Sequence, residues 1–485
     1  MNDIDTRHQV KNLARNSLIY NIGNFLPIIV NFLLIPLYTR YLTTADYGII
    51  SIADIITKIM TIILAMGLPI AIVRFYHDFK DSQANLARYL GAIISWIMLI
   101  GIIITGALHL WGQPLFGWLI NGGELLFNPY IVMAIWTSFF ALTTSIVVNW
   151  FQAQNKPWQH IALSLISFLA LTSLTIYFVV VNHEGALGAV KAGLIAAIIL
   201  FVLLLPMIMR MCSFNLSKKI ILPSLKFSLP LIPAALASWL LIFIDRIILK
   251  NYTTLEDVGV YSLGYSAGMV MMLIVASIHK AWAPFFFEKA DQNQNSKLFG
   301  KITSYYVAII LFIGLIGSLF SRELIILITT PAYYGAAAVV PLVILGYVLY
   351  GFYTMSTTPL FYKKKTSLIL VYVLVAAIVN IILNLWWIPT LGMMGAAYAT
   401  TVSYFVLFLL GWWGTHRSYV IPYEYIKLLG ILVMAGIVYA VPIIFFPSSI
   451  PMKIGALAVY VICLWGFGII NKSNINKMHK IFIKK

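Results

Sequence analysis

The sequence predicts an all-α polytopic membrane protein with fourteen transmembrane helices, arranged as two pseudo-symmetric six-helix lobes followed by two C-terminal helices. Of its 485 residues, 61% are hydrophobic and only 10% are charged, whereas a soluble domain carries about 25% charged residues. The apolar segments are long enough to cross a bilayer, which needs roughly 20 residues per helix. A short sequence pattern also recurs in the second half of the chain.

The apolar segments are predicted to be helices, because lipid offers no hydrogen-bond partner to an exposed backbone. A continuous sheet is excluded for the same reason, and the strict alternation of a membrane barrel is absent. The predicted spans cover residues 16–39, 47–73, 88–110, 128–151, 158–181, 186–209, 227–249, 258–286, 300–320, 334–360, 367–388, 393–413, 424–446 and 453–471.

The positions of the Lys and Arg residues predict the orientation of the chain. With both termini placed in the cytoplasm, 24 of the 32 basic residues lie in cytoplasmic segments, 4 lie in outer segments and 4 lie within spans. Cytoplasmic loops of membrane proteins carry an excess of Lys and Arg. The net charge of +17 is therefore interpreted as a signal of topology, and nucleic acid is not predicted as a partner.

An eleven-residue pattern occurs twice, as YLTTADYGIIS at residues 41–51 and as YTTLEDVGVYS at residues 252–262, with a constant offset of 211. In each copy a Thr precedes an Asp by three residues, which is the spacing of a capping box at the start of a helix. Two further landmarks recur at similar offsets, Phe151 with Phe361 and Gly188 with Gly395. The recurrence predicts a duplicated fold.

The duplication predicts the organisation of the chain. The predicted segments are a cytoplasmic tail (1–15), an N-lobe (16–209), a cytoplasmic linker between the lobes (210–226), a C-lobe (227–413), a two-helix appendage (414–471) and a basic cytoplasmic tail (472–485).

Charged residues inside the spans are the best candidates for a functional site, because each costs a few kcal/mol or more when it faces lipid. Asp54 and Lys58 lie four residues apart in the second span, on one helical face where they can pair. Lys58 lies near the middle of that span. Both are predicted to bind substrate in an aqueous cavity between the lobes, and a purely structural pair is the alternative.

Five further charged residues are candidates. Lys191, Asp245 and Arg246 are candidate cavity residues, with snorkelling to the surface or a structural pair as alternatives. Arg74 and Lys280 lie towards the cytoplasmic ends of the second and eighth spans. They are candidates for a cytoplasmic phosphate gate, although the positive-inside rule also explains them. The excess of bases over acids within the spans favours an anionic substrate.

The sequence predicts neither an enzyme nor a protein that needs a cofactor. No loop outside the membrane is long enough to hold a catalytic domain, and no catalytic residue is assigned. The two cysteines and eight histidines have no metal-ligand spacing. Because a Walker loop and an ATPase domain are also absent, transport is predicted to be driven by an ion gradient, by substrate flux or by a partner.

Several short motifs occur in a fixed order along the chain. They are Arg15-Asn16-Ser17, Pro36-Leu37-Tyr38-Thr39-Arg40-Tyr41-Leu42, Asp46-Tyr47-Gly48, Gly67-Leu68-Pro69-x-Ala71-x-x-Arg74-Phe75, Trp282-x-Pro284-Phe285, Tyr334-Gly335 and Gly392-x-x-Gly395-Ala396-Ala397. In this order the motifs resemble those of the Wzx-type O-antigen and capsule flippases. That family belongs to the superfamily that also contains the multidrug and toxin extrusion (MATE) transporters. The resemblance extends over essentially the whole chain.

The resemblance implies a MATE-like fold of two six-helix lobes around a cavity, plus two extra helices. It also implies alternating-access transport of an undecaprenyl-pyrophosphate-linked oligosaccharide from the inner to the outer leaflet of the bacterial inner membrane, for O-antigen, capsule or exopolysaccharide synthesis. Basic cavity residues of the family meet the pyrophosphate or acidic sugars, and Lys58, Lys191 and Arg246 match them by position within the spans. The implied partners are the lipid-linked glycan, membrane lipids, a polysaccharide polymerase and a chain-length regulator.

Two other functions remain as alternatives. An ion-coupled drug or cation antiporter of the multidrug and toxin extrusion type would need uncompensated acids in its cavity, yet the first span contains no acid. A membrane-embedded polysaccharide polymerase or ligase would be expected to have a large external loop with catalytic Arg or His, and no repeat between lobes. The sequence therefore favours a flippase.

Overall fold

A computed structural model describes residues 32–120, 126–290 and 296–469 of the chain. The predicted tails (1–15 and 472–485) and residues 16–31 of the first span lie outside these ranges. Within them the regular secondary structure is helical and contains no β-strand. Eleven of the described helical stretches are long and apolar enough to cross a membrane. The predicted all-α polytopic architecture is therefore confirmed.

The chain divides into two compact units, with the boundary between Ser262 and Leu263. Residues 32–41 of the first unit are helical. Its longer described elements are α1 (Thr44–Ala65), α2 (Leu68–Phe79), α3 (Gln83–Trp111), α4 (Gln113–Leu119), α5 (Val132–Ala153), α6 (Pro157–Thr175), α7 (Gly185–Met211), α8 (Lys218–Ser228), α9 (Ile232–Tyr252) and the start of α10 (Leu255–Gly268). A core of buried aliphatic and aromatic side chains lies where α2, α3, α5 and α7 meet.

The second unit is also helical over its described residues. Its elements after α10 are α11 (Val270–Lys289), α12 (Ser296–Leu319), α13 (Ser321–Ile328), a 3₁₀ segment (Pro331–Ala338), α14 (Val340–Tyr362), α15 (Thr366–His416), α16 (Tyr425–Phe445) and α17 (Ile450–Gly466).

Two helices differ in extent from the predicted spans. The predicted linker contains α8, which a 3₁₀ turn at Leu229–Leu231 joins to α9. The 51-residue α15 covers two predicted spans and breaks at Gly392, where φ is 57° and ψ is −135°. Glycine reaches this left-handed backbone region without the clash of a side chain, and the break lies between the two predicted spans. The described helices are compatible with fourteen spans, and that count stays a prediction.

A backbone break separates α1 from α2 within the long apolar stretch Thr44–Phe79. Met66 and Gly67 adopt left-handed conformations with φ of 49° and 67°. The Ser228 hydroxyl donates a 2.8 Å hydrogen bond to the Met66 carbonyl oxygen. This bond satisfies a carbonyl at the end of α1, where the helix leaves such groups without intrahelical partners.

The repeated pattern forms the same cap twice. In the first copy, the Thr43 hydroxyl accepts from the Asp46 amide at 3.1 Å, and the Asp46 carboxylate accepts from the Thr43 amide at 3.0 Å. In the second copy, Thr254 and Asp257 make the equivalent bonds at 3.2 and 3.5 Å. The two predicted capping boxes are therefore confirmed, and they start α1 and α10.

Candidate functional site

The pair predicted in the second span forms on α1. The Lys58 ammonium donates to the Asp54 carboxylate over 2.5 Å, and 42% and 53% of these two side chains remain exposed. The Lys58 nitrogen also lies 4.6 Å from the centroid of the Phe243 ring on α9, within the range of a cation–π interaction. An accessible lysine therefore lies near the middle of a 36-residue apolar stretch, with one carboxylate beside it.

Asp245 and Arg246 on α9 form a buried ion pair, with 2.8 Å between Nη1 and Oδ1 and exposed side-chain fractions of only 1% and 4%. The Tyr261 hydroxyl of α10 donates to the other Asp245 oxygen. Arg246 also donates to the Ile242 carbonyl oxygen at 2.6 Å. Because buried charges are stable only when they are paired and hydrogen-bonded, this arrangement holds α9 against the first turns of α10.

Phe243 connects the accessible pair to the buried pair. Its ring lies 4.6 Å from the Lys58 nitrogen and 5.4 Å from the Arg246 guanidinium carbon. We call Asp54, Lys58, Phe243, Asp245 and Arg246 the α1–α9 charge cluster. The structure thus brings together four of the five predicted cavity residues, two accessible and two buried.

Lys191 lies elsewhere, at the start of α7. Its ammonium pairs with Glu184 at 3.2 Å and lies 4.6 Å from the centroid of the Phe178 ring. The Asp46 carboxylate accepts from the Ala186 amide at 3.1 Å, which ties the start of α7 to the cap of α1. These contacts place Lys191 among residues of the α6–α7 connection, outside the α1–α9 charge cluster.

The two predicted gate residues are both exposed. Arg74 on α2 pairs with Asp78 at 3.4 Å, and 56% of the Arg74 side chain is exposed. Lys280 is an exposed residue of α11 in the second unit. Arg74 follows the break at Gly67, so it and Lys58 lie on separate helices of the same long apolar stretch.

Sequence reasoning missed the neutral partners of the charged residues. Phe243 is one of many aromatic residues in apolar spans, so its residue type alone does not indicate a place beside a charged residue. Tyr261 differs from its repeat: the equivalent position of the first copy is Ile50, and only the second copy has a hydroxyl there. That difference could have indicated a polar contact at Tyr261. The sequence also carries no local signal for the ion pair between the buried Lys453 of α17 and Glu323 of α13.

Among the described residues, no group of three or more His, Cys, Asp or Glu side chains could hold a metal ion. The α1–α9 charge cluster is instead suited to binding an anion. An ammonium with a single carboxylate partner can exchange that partner for a phosphate oxygen, because both acceptors carry negative charge.

Known proteins resemble this chain in sequence. The family described as "Polysaccharide biosynthesis protein" matches residues 13–290. A protein of the Lsg locus of Haemophilus influenzae is 26% identical over 294 residues, which is 58% of this chain and 67% of that protein. An uncharacterized membrane protein of Methanocaldococcus jannaschii is 20% identical and aligns with 95% of this chain and 96% of its own length.

Solved structures share the fold. The lipid II flippase MurJ, in an inward closed conformation, superposes with a TM-score of 0.74 at 15% identity, covering 93% of this chain and all of MurJ. An inward-facing multidrug resistance MATE family transporter of the MOP superfamily gives a TM-score of 0.65 at 14% identity, covering 83% of this chain and 94% of that transporter. At these identities the likeness concerns the fold alone. The family match covers more than half of the sequence, and the chain therefore belongs to the polysaccharide biosynthesis protein family, as a multi-pass membrane protein with the helical fold of MurJ and the MATE transporters.

Proposed function

We propose that this protein is a flippase that moves an undecaprenyl-pyrophosphate-linked oligosaccharide from the inner to the outer leaflet of the bacterial cytoplasmic membrane. The product would supply O-antigen, capsule or exopolysaccharide synthesis. Family membership supports a role in polysaccharide synthesis. MurJ, which has the same fold, is named for flipping lipid II, a lipid-linked substrate.

The accessible Lys58–Asp54 pair is the observation that carries the proposal. Charged side chains in the middle of a span are costly when they face lipid, and they mark substrate pathways when they face water. About half of each side chain is accessible, so the proposed environment of this face of α1 is a water-filled cavity. Lys58 would attract the pyrophosphate, and Asp54 would balance its charge while the site is empty.

The other charged residues take different proposed roles. Arg246 and Asp245 are buried and hydrogen-bonded, so they would position Phe243 beside Lys58 without contacting substrate in this conformation. Lys191 pairs with Glu184 and would add positive potential near the end of the transport pathway that is opposite to the cytoplasmic entrance. Arg74 and Lys280 are exposed and would meet the substrate pyrophosphate at the cytoplasmic entrance.

Transport would proceed by alternating access with both termini in the cytoplasm, as the distribution of Lys and Arg residues indicates. The proposed partners are the lipid-linked glycan and the surrounding lipids, together with a polymerase and a chain-length regulator that use the flipped product. A drug or cation antiporter is the competing function, because MATE transporters share the fold. Asp54 and Asp245 are both paired with bases, which leaves this pair of acids poorly suited to bind a cation.

Reconstitution into liposomes tests the function directly. Liposomes would carry a fluorescent undecaprenyl-pyrophosphate-linked oligosaccharide in both leaflets, and a membrane-impermeant reductant would bleach the outer label. Purified protein is expected to raise the bleached fraction from about one half towards completion. Bleaching that stops at one half with a correctly folded protein would refute lipid-linked glycan transport. Proton-coupled uptake of an organic cation by the same vesicles would support the antiporter instead.

A further inference from the structure

A groove distinct from the α1–α9 charge cluster lies between α3, α5, α6 and α7 and has a volume of about 690 Å³. This volume is within the range of about 300–1,000 Å³ that is typical of ligand pockets. Its apolar lining includes Leu90, Trp150 and Leu163, which are themselves buried. Its charged lining consists of Lys156 and Arg210, with no acidic residue. We call this feature the basic groove.

No acidic side chain of the described ranges neutralises the two cations of the basic groove. Neither Lys156 nor Arg210 forms an ion pair with a residue of the described ranges. Lys156 also occupies the N-cap position of α6, and Pro157 follows it at the first helical position. A cation at the positive end of a helix dipole is unfavourable, whereas an anion there is stabilised. The mouth of the groove therefore favours a negatively charged group.

The surroundings of the groove indicate the class of ligand. Only 11% of the apolar window within Pro157–Val181, the stretch that contains α6, is buried within the protein, so most of this surface is open to surrounding lipid. Trp158, next to Lys156, is 67% exposed, and exposed Trp side chains are enriched at the headgroup level of membranes. A soluble anion would satisfy the cations but would leave the apolar lining uncovered, whereas a phospholipid matches both parts.

We propose that the basic groove binds an anionic phospholipid, with its phosphate at Lys156 and Arg210 and an acyl chain against Leu163 and Leu204. The bound lipid would fill the space between α3 and α6 and neutralise the charge that the helix terminus and the two cations create. This inference does not rest on the proposed transport function, because lipid retention is a property of the resting protein.

Native mass spectrometry of the detergent-purified protein, titrated with phosphatidylglycerol or with phosphatidylcholine of the same chain length, tests the proposal. Wild-type protein is expected to retain one phosphatidylglycerol more tightly than phosphatidylcholine. The double variant K156Q/R210Q should weaken phosphatidylglycerol binding about 30-fold, which corresponds to about fivefold for each basic residue near an anionic headgroup. The matched control K218Q/K219Q removes two exposed lysines outside the groove and should retain the lipid.

A second pair of variants tests the groove without changing charge. Ala162 lines the groove and is exposed, so Ala162→Trp should block the acyl chain while the protein remains folded. Leu169→Trp places the same side chain at an exposed position of α6 outside the groove and should have no effect. Equal binding of both lipids, or undiminished binding by folded K156Q/R210Q and Ala162→Trp, would overturn the proposal. Displacement of the lipid by undecaprenyl pyrophosphate at an equal concentration would also overturn it, in favour of a substrate site.

Discussion

Ser51 and Ser262 form a hydrogen bond with 2.8 Å between their Oγ atoms, and the 211 residues that separate them equal the offset between the two copies of the repeated pattern. Gly48 and Gly259 are a second equivalent pair at the same crossing, where each lies against the backbone of the other's helix. Equivalent positions of two related segments touch where the segments lie near the twofold axis that relates them. The crossing of α1 and α10 is therefore a contact between the two copies themselves. The extension of the repeat to lobes 16–209 and 227–413 stays a prediction.

A disulfide should form at this crossing. With Cys212 and Cys463 replaced by serine, Ser51→Cys combined with Ser262→Cys is expected to cross-link under mild oxidant, because the native hydroxyls are already in contact. The link would be detected as two fragments that stay joined after proteolysis between the two positions. If α1 and α10 separate during transport, oxidation should stop flipping in liposomes and a reductant should restore it. Full activity of the cross-linked protein would show that the crossing stays closed throughout the cycle.

Alanine at Gly48 should destabilise the protein. A Cβ there would overlap the Leu255 carbonyl oxygen of α10, and overpacking typically costs 1–3 kcal/mol. The apparent melting temperature in detergent is expected to fall by several degrees. Gly193→Ala on α7 is the matched control, since no atom beyond the adjoining backbone of its own helix lies within 4 Å of its added Cβ. Alanine is also the better helix former, so the control should be neutral or slightly stabilising. Equal melting temperatures for the two variants would contradict a tight crossing.

Removing the Tyr261 hydroxyl should also lower stability. Tyr261→Phe removes the hydrogen bond from this hydroxyl to the buried Asp245 carboxylate, and a hydrogen bond to a charged group contributes about 1.5–3 kcal/mol. The exposed Tyr252 of α9 provides a control in Tyr252→Phe, for which no change is expected. The measurement is the thermal unfolding of both variants in the same detergent. A Tyr261→Phe protein as stable as wild type would mean that this bond does not hold α9 against α10.

The orientation of the chain can be checked by labelling single cysteines with a membrane-impermeant maleimide. In the cysteine-free background, Asn182→Cys is expected to react in intact cells, and so is Asn121→Cys, although Asn121 lies outside the described residues. Lys364→Cys should react only after the membrane is opened, because it belongs to a cluster of three lysines in a predicted cytoplasmic loop. Asn182 and Lys364 are both exposed, so burial would not prevent reaction. Labelling of Lys364→Cys in intact cells would reverse the proposed topology.

The features that depend on local sequence patterns could be predicted from the sequence. The contacts between residues far apart in the chain could not. Hydropathy predicted the all-helical membrane architecture, and three-residue spacings predicted both capping boxes. The Asp54–Lys58 pair was also predictable, because the two residues lie one helical turn apart. A hydropathy profile indicates which segments lie within the membrane, but not the direction in which each side chain points. The buried pairing of Lys453 with Glu323, 130 residues away, and the position of Phe243 beside Lys58 were therefore out of reach.

Replacement of Lys58 should impair transport more than replacement of Asp54. Lys58 is the accessible mid-span cation of the α1–α9 charge cluster, and the proposed substrate carries a pyrophosphate. In cells that depend on this protein for surface polysaccharide, Lys58→Ala is expected to reduce the polymer at least tenfold, and Lys58→Arg to keep part of it because the charge remains. Asp54→Asn should be milder, since it leaves the cation in place. Lys218→Ala, at an exposed lysine of α8, controls for the loss of a positive charge.

An unpaired charge in a site of low dielectric constant is costly, so the amounts of folded protein in the membrane must be compared before activities are interpreted. Lys58→Ala leaves Asp54 without its partner and could lower expression for that reason alone. The double variant Lys58→Ala/Asp54→Asn separates the two effects, because it removes both charges and should restore the protein level without restoring polysaccharide. Full complementation by Lys58→Ala at normal protein levels would reject Lys58 as a necessary substrate contact, and the pair with Asp54 would then have a structural role.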